Sequence, residues 1–82
     1  MSSVGTSYQA LVQKIIPYGK HGPYAVAQSD DISGWITFSL NKPVWQEEEE
    51  PKPGTYVILS DLRRKDGWRA EKARFYRPED DK

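Results

Sequence analysis

Polar and apolar positions in this chain seldom hold one period for long, yet they gather into five short runs separated by turn-forming residues. The first, Tyr8 to Ile16, mixes the two classes without clean alternation. Tyr8, Leu11 and Ile15 lie three to four apart, which suits a short helix. Val12, Ile15 and Ile16 are β-branched and Pro17 ends the run, so a strand is expected. Gly19, Gly22 and Pro23 then mark a turn, and Tyr24 to Gln28 forms a short strand with small residues on one face. Ser29 to Gly34 reads as a second turn, its side chains suited to bonding nearby backbone. The central strand follows at about 34–40. Its core is Trp35-Ile36-Thr37-Phe38-Ser39-Leu40, six uncharged residues with an aromatic on each face.

The section from Asn41 to Pro53 is irregular. It holds Pro43, Pro51 and Pro53, the acidic run Glu47 to Glu50, and one large apolar residue, Trp45. Such a loop lies on the surface, with Trp45 capping one end of the core or pinning the loop to it. Gly54 opens the clearest strand, Thr55 to Leu62, apolar on both faces at its centre and so expected to be buried. Lys65-Asp66-Gly67 is a hairpin turn, and Trp68 to Tyr76 returns as the last strand. Its Ala, Glu, Lys and Arg content also suits a helix. The hairpin and the need to close a sheet favour the strand.

The expected fold is therefore all-β: a small five-stranded antiparallel barrel, because closure removes exposed edges. An OB-fold is expected, with an SH3-like barrel as the alternative. Residues 8–76 form the domain, between a flexible N-terminus (1–7) and a flexible acidic tail (77–82). Eighty-two residues allow one domain with a modest core. Ten aromatic side chains are enough to build it.

Composition narrows the chemistry. The chain has no cysteine, which removes disulfides and thiolate metal sites and fits a reducing, cytoplasmic setting. No apolar run reaches the roughly 20 residues of a membrane span. The first residues lack the basic and apolar regions of a secretory signal. The net charge of zero is unevenly spread. Between Asp61 and Arg77 seven bases face three acids, a local excess of four positive charges that attracts anionic partners.

The layout resembles the cold-shock domain, a five-stranded OB-fold that binds single-stranded nucleic acid. The family's second strand carries a Lys-Gly-aromatic-Gly-Phe-Ile pattern before an Asp-rich turn. Lys20-His21-Gly22-Pro23-Tyr24-Ala25-Val26 and then Ser29-Asp30-Asp31 stand there in this chain. Thr37-Phe38-Ser39 takes the place of its third-strand His-Phe-Ser, with Trp35 at the preceding aromatic position. Pro53-Gly54-Thr55-Tyr56-Val57 is similar to the start of its fourth strand, and Lys65-Asp66-Gly67-Trp68-Arg69-Ala70 to its closing turn. The departures are specific. The second strand keeps at most one of two stacking aromatics, the third-strand His is Thr37, and the long loop is acidic.

The resemblance implies a binder of single-stranded RNA or DNA. Bases would stack on Trp35, with Phe38 and Tyr24 beside it, and cations would follow the phosphates. Strict alternation sets a conflict: if Ile36 faces the core, Trp35 and Thr37 face outward and Phe38 faces inward. Lys20, Arg63, Arg64, Lys65 and Arg69 are the candidate phosphate contacts. Trp68 either stacks a base or covers the open end of the barrel. His21, the lone histidine, flanks the binding strand and cannot build a metal site by itself. No catalytic constellation, metal motif or cofactor signature is present, so no enzyme activity and no cofactor is expected. A non-enzymatic protein-interaction module on the same barrel is the competing expectation, favoured by the acidic loop and neutral net charge.

Overall fold

The computed structural model describes residues 7–20, 22–64 and 67–78. Five strands form: β1 (Ser7–Ile16), β2 (Tyr24–Ser29), β3 (Ile32–Ser39), β4 (Tyr56–Arg64) and β5 (Trp68–Phe75). They close into one barrel in the order β1-β2-β3-β5-β4. Four pairings are antiparallel, and the fifth, β3 with β5, is parallel. The long β1 is shared, pairing with β2 and with β4, so that Leu11 stands between Gln28 and Tyr56. This is the closure of an OB-like barrel. An SH3-like barrel would set β3 beside β4, but the second neighbour of β3 is β5. The turn expected over Ser29 to Gly34 shrinks to Asp30 and Asp31, because β2 and β3 extend into it.

The expected N-terminal segment lies outside the described residues except for Ser7, which pairs with Ser60. The tail is described as far as Pro78, and Arg77 within it is held by Glu47 at 2.8 Å.

The interior obeys a simple size rule across the strands. Phe38 is fully buried, with Ala25 beside it on β2 and Ala70 on β5. Ile36 faces Ala27, Val57 faces Ala10, and Leu59 faces Ala73. Each large side chain reaches into space that an alanine leaves open. At Ile36 and Val57 the exchange is one-sided: Ile36 also pairs with Trp68 and Val57 with Phe75, large side chains only partly buried against the core.

Strand pairing or alternation is interrupted in three places. On β1 the pairing with β2 shifts between Val12 and Lys14, leaving Gln13 as an extra residue. The inward series Ala10, Val12 then resumes at Ile15, which packs against the core. On β3, pairing to β2 shifts between Ile32 and Ile36, with Gly34 at φ 97° inside the irregular stretch. On β5 the buried residues are Ala70 and Ala73, three apart where plain alternation gives two. β4 changes parity at the same level, since Leu59 is buried and Leu62 is the next side chain packed on the core. Between them lies Asp61 with φ 54°, a left-handed conformation that Asp tolerates better than most residues. Ser60 and Leu62 still pair in register with Lys72 and Ala70, so both strands turn over together.

The long loop completes the barrel. Residues 44–46 bracket Ala73: its N–H donates to the Val44 carbonyl (2.9 Å) and its carbonyl accepts from Gln46 N–H (3.0 Å). The loop thus takes over the edge of β5 where β3 leaves it. Trp45 is 2% exposed, stacks on Phe38 (centroids 5.8 Å) and meets Phe75 edge-on (5.0 Å). Its indole N–H donates to the Glu49 carbonyl at 2.8 Å. It both caps the core and pins the loop.

Two consequences are measurable by chemical denaturation. Ala25→Val should destabilise the barrel by about 1–3 kcal/mol, and by less in a Phe38→Leu background, where the ring no longer fills the shared space. Strictly additive costs would show that the two sites do not share volume. Asp61→Val should cost roughly 1–2 kcal/mol more than Asp61→Gly, since both lose the carboxylate but only valine resists the left-handed backbone. Equal midpoints for the two variants would rule out backbone conformation as the cause.

Candidate functional site

The outer face of β1, β2 and β3 carries an open groove of about 440 Å³, lined by Gln13, Lys14, Ile16, Tyr24, Val26, Trp35 and Thr37. One irregularity and plain alternation shape it. The β1 bulge turns Lys14 and Ile16 to the side occupied by Val26 and Tyr24, their partners in register. Trp35 reaches the same side by alternation with buried Ile36, and it is 54% exposed. Bulges of this kind re-aim side chains at the rims of barrels.

Tyr24 is set by the loop before it. A Cβ at Gly19 would collide with the Tyr24 ring and with the Gly22 carbonyl, so the backbone at Gly19 lies close against the ring. Thr37 stands between Val26 and Arg69 in register. Trp35, Tyr24 and Thr37, singled out from the sequence, therefore share one groove.

The cations divide into two groups. Reading around the barrel, the register runs from Lys14 to Val26, Thr37, Arg69 and Arg63. Lys14, Arg69 and Arg63 are exposed. Arg63 lies 3.8 Å from Glu71, and Lys72 lies 3.7 Å from Asp61, so much of the hairpin's positive charge is met by its own acids. Lys14, Lys20 and Arg69 make no ion pair among the described residues. Lys20 is exposed in the loop leading to β2.

Other expected site residues stand elsewhere. Phe38 is fully buried under Trp45 and offers no face to a ligand, so it belongs to the core and not to the site. The reason is the alternation of β3: the bulge precedes Trp35, and Ile36, Phe38 and Leu40 all remain inward. Trp68 is half-buried against the core, with the Arg64 guanidinium 5.3 Å from its ring centre. Arg64 thus covers one tryptophan face, a cation–π contact. His21 and Lys65 lie outside the described residues.

Sequence reasoning missed Lys14, Ile16, Gln13 and Val26. They sit in runs that read as plain strand, and only the bulge brings Lys14 and Ile16 to the outer face. None of Glu47 to Glu50 lines the groove. Glu47 is drawn to the end of β5, where its carboxylate accepts from Phe75 N–H (3.3 Å) and from Arg77 (2.8 Å). Lys42 and Glu48, 3.8 Å apart and well exposed, add little.

Among the described residues no cluster of three potential metal ligands occurs, and no helix is long and apolar enough to cross a membrane. Comparisons of the chain with family models, with curated proteins and with solved structures find no match. The strand order and the groove's own geometry therefore carry the functional reading.

Trp35 stands apart from buried Trp45 and half-buried Trp68. Collisional quenching should show one readily quenched tryptophan component, absent in Trp35→Phe. Trp35→Ala should change stability by no more than about 0.5 kcal/mol, as expected for a surface site. A larger loss on thermal or denaturant unfolding would mean that Trp35 supports the core.

Proposed function

We propose that this protein binds single-stranded nucleic acid, RNA or DNA, across the outer face of β1, β2 and β3, without catalysis. The observation that carries the reading is the half-exposed Trp35 in the same apolar groove as Tyr24, with cations close by that make no ion pair among the described residues. Contiguous exposed apolar surface marks interaction sites, whereas single scattered residues do not. A base stacked on Trp35, with a second against Tyr24, would gain roughly 1–3 kcal/mol each. Lys14 and Arg69, aligned across the strands, would meet the phosphates on either side, with Lys20 beyond Tyr24. Phosphate contacts of this kind hold the strand without reading its sequence. The resemblance to the cold-shock domain supports the same face. The single aromatic on β2 and the Thr37 in place of histidine argue for fewer stacked bases than that family uses.

A protein partner is the second reading, favoured by one observation. The hairpin's Arg63 and Lys72 are neutralised by Glu71 and Asp61, which weakens the field that would draw a polyanion.

Titration of short oligonucleotides at two salt concentrations separates the two. Binding should quench Trp35 and weaken steeply with salt, the slope falling by about one on Lys14→Ala or Arg69→Ala. Trp35→Ala should cost about 1–3 kcal/mol of affinity with the salt slope unchanged. Absence of binding at low salt, with the protein folded, would leave the protein-partner reading standing.

A further inference from the structure

A second hollow, of about 320 Å³, lies nearer the start of β1 than the groove and reaches from β2 to β4. Gln13, the extra residue of the β1 bulge, lines both. Its floor is the row in which Leu11 stands between Gln28 on β2 and Tyr56 on β4. Neighbouring strands are about 4.8 Å apart, so Tyr56 and Gln28 flank Leu11 across roughly 10 Å. That is room for one flat ring over an apolar floor. Tyr56 is 50% exposed and meets Tyr76 in an edge-on ring contact (centroids 6.4 Å).

The polar groups around this floor are unusual in kind. Gln9, Gln13 and Gln28 contribute three primary amides, and Asp30 and Asp31 contribute two exposed carboxylates from the β2–β3 turn. Of the three amides only that of Gln13 makes a hydrogen bond among the described residues, a long one of 3.4 Å to the Leu11 carbonyl. Among the described residues no lysine or arginine lines the hollow. It is thus unsuited to phosphate and well supplied with groups that match the edge of a base. A carboxylate accepts from exocyclic amino groups, and an amide pairs with a donor and an acceptor side by side.

We infer that this hollow is a base-reading subsite, continuous with the Trp35 groove, that takes a nucleobase presenting an amino group beside a ring N–H or acceptor. Guanine is the best match, because its N1–H and N2–H₂ offer a carboxylate two parallel hydrogen bonds. Uracil and thymine have no exocyclic amino group and match worst. A lysine or arginine side chain from a protein partner would satisfy Asp30 and Asp31 but leave the amide donors unanswered, since neither cation has an acceptor. The inference rests on the nucleic-acid reading above and assigns that reading its sequence preference.

The test compares two fluorescently labelled oligonucleotides of about seven nucleotides, one all uracil and one with a single central guanine, on the full chain. The guanine-bearing strand should bind about tenfold more tightly, the discrimination expected of one bidentate base contact. Asp30→Asn with Asp31→Asn should remove that preference and leave the all-uracil strand bound as tightly as before or more so. Tyr56→Ala should weaken the guanine strand selectively. Retained all-uracil binding, with Trp35 quenching, certifies that each variant is folded and that the groove works. If both strands bind the wild type equally, or if the preference survives the double substitution, the subsite is overturned and the groove reading stands. If neither strand binds and an arginine-bearing peptide does so through Asp30 and Asp31, both readings fall.

Discussion

Everything in this barrel depends on how Phe38 is accommodated. A five-stranded barrel has an interior only one large side chain wide. Phe38 fills it because its neighbours on both sides, Ala25 and Ala70, have almost no side chain. The same exchange recurs at Ile36 with Ala27, Val57 with Ala10 and Leu59 with Ala73. One aromatic at the centre then fixes the identity of both neighbouring positions. Trp45 extends the column upward, and Phe75 closes it. Because Trp45 is delivered by the long loop, core packing and loop placement are one event. The loop's backbone bonds at Ala73 and the Glu47 bonds at Phe75 and Arg77 follow from where that indole must sit.

This packing explains which parts of the fold were legible in the sequence. The strands, their order along the chain and the inward set Ile36, Phe38 and Leu40 follow from β-branched and aromatic content and from turn residues. Two segments also suited a helix, the first by the spacing of Tyr8, Leu11 and Ile15 and the last by its Ala, Glu, Lys and Arg content, and the folded strands add a second helix-like feature. In Ala70 and Ala73 the buried residues are three apart, and on β1 Val12 is followed by Ile15. A spacing of three is a helical signature in a one-dimensional pattern. Here it arises from a bulge at Gln13 and from a paired change of parity opposite Asp61. No local residue preference announces either, because a parity change becomes visible only once the partner strand is known.

The same geometry decides which part of the site could be read. Trp35, Tyr24 and Thr37 were legible as outward residues of strands with a gap in their aromatic pattern. Lys14 and Ile16 were not, because their direction depends on the bulge at Gln13 just before them. Phe38 marks the opposite case: its chemistry suits stacking, yet its parity removes it. Trp68 is intermediate, exposed at a turn by sequence but engaged by the core on one side and by Arg64.

The arrangement of charge carries the argument furthest. A count along the chain places the positive excess on the hairpin between β4 and β5, but counting ignores cross-strand pairing. Side chains opposite or diagonal on paired strands meet, and here they meet as Arg63 with Glu71 and Asp61 with Lys72. An exposed pair of this kind adds little stability, yet it cancels much of the local field. Near the groove, Lys14, Arg69 and Lys20 make no ion pair among the described residues. Two of these three align with Thr37 across the groove, and the third precedes the strand that carries Tyr24. A net charge of zero is therefore compatible with a directed electropositive strip, because the acids are spent elsewhere. Glu71 and Asp61 are held on the hairpin and Glu47 at the end of β5, while Asp30 and Asp31 flank the hollow where an acceptor, and not a cation, has a use.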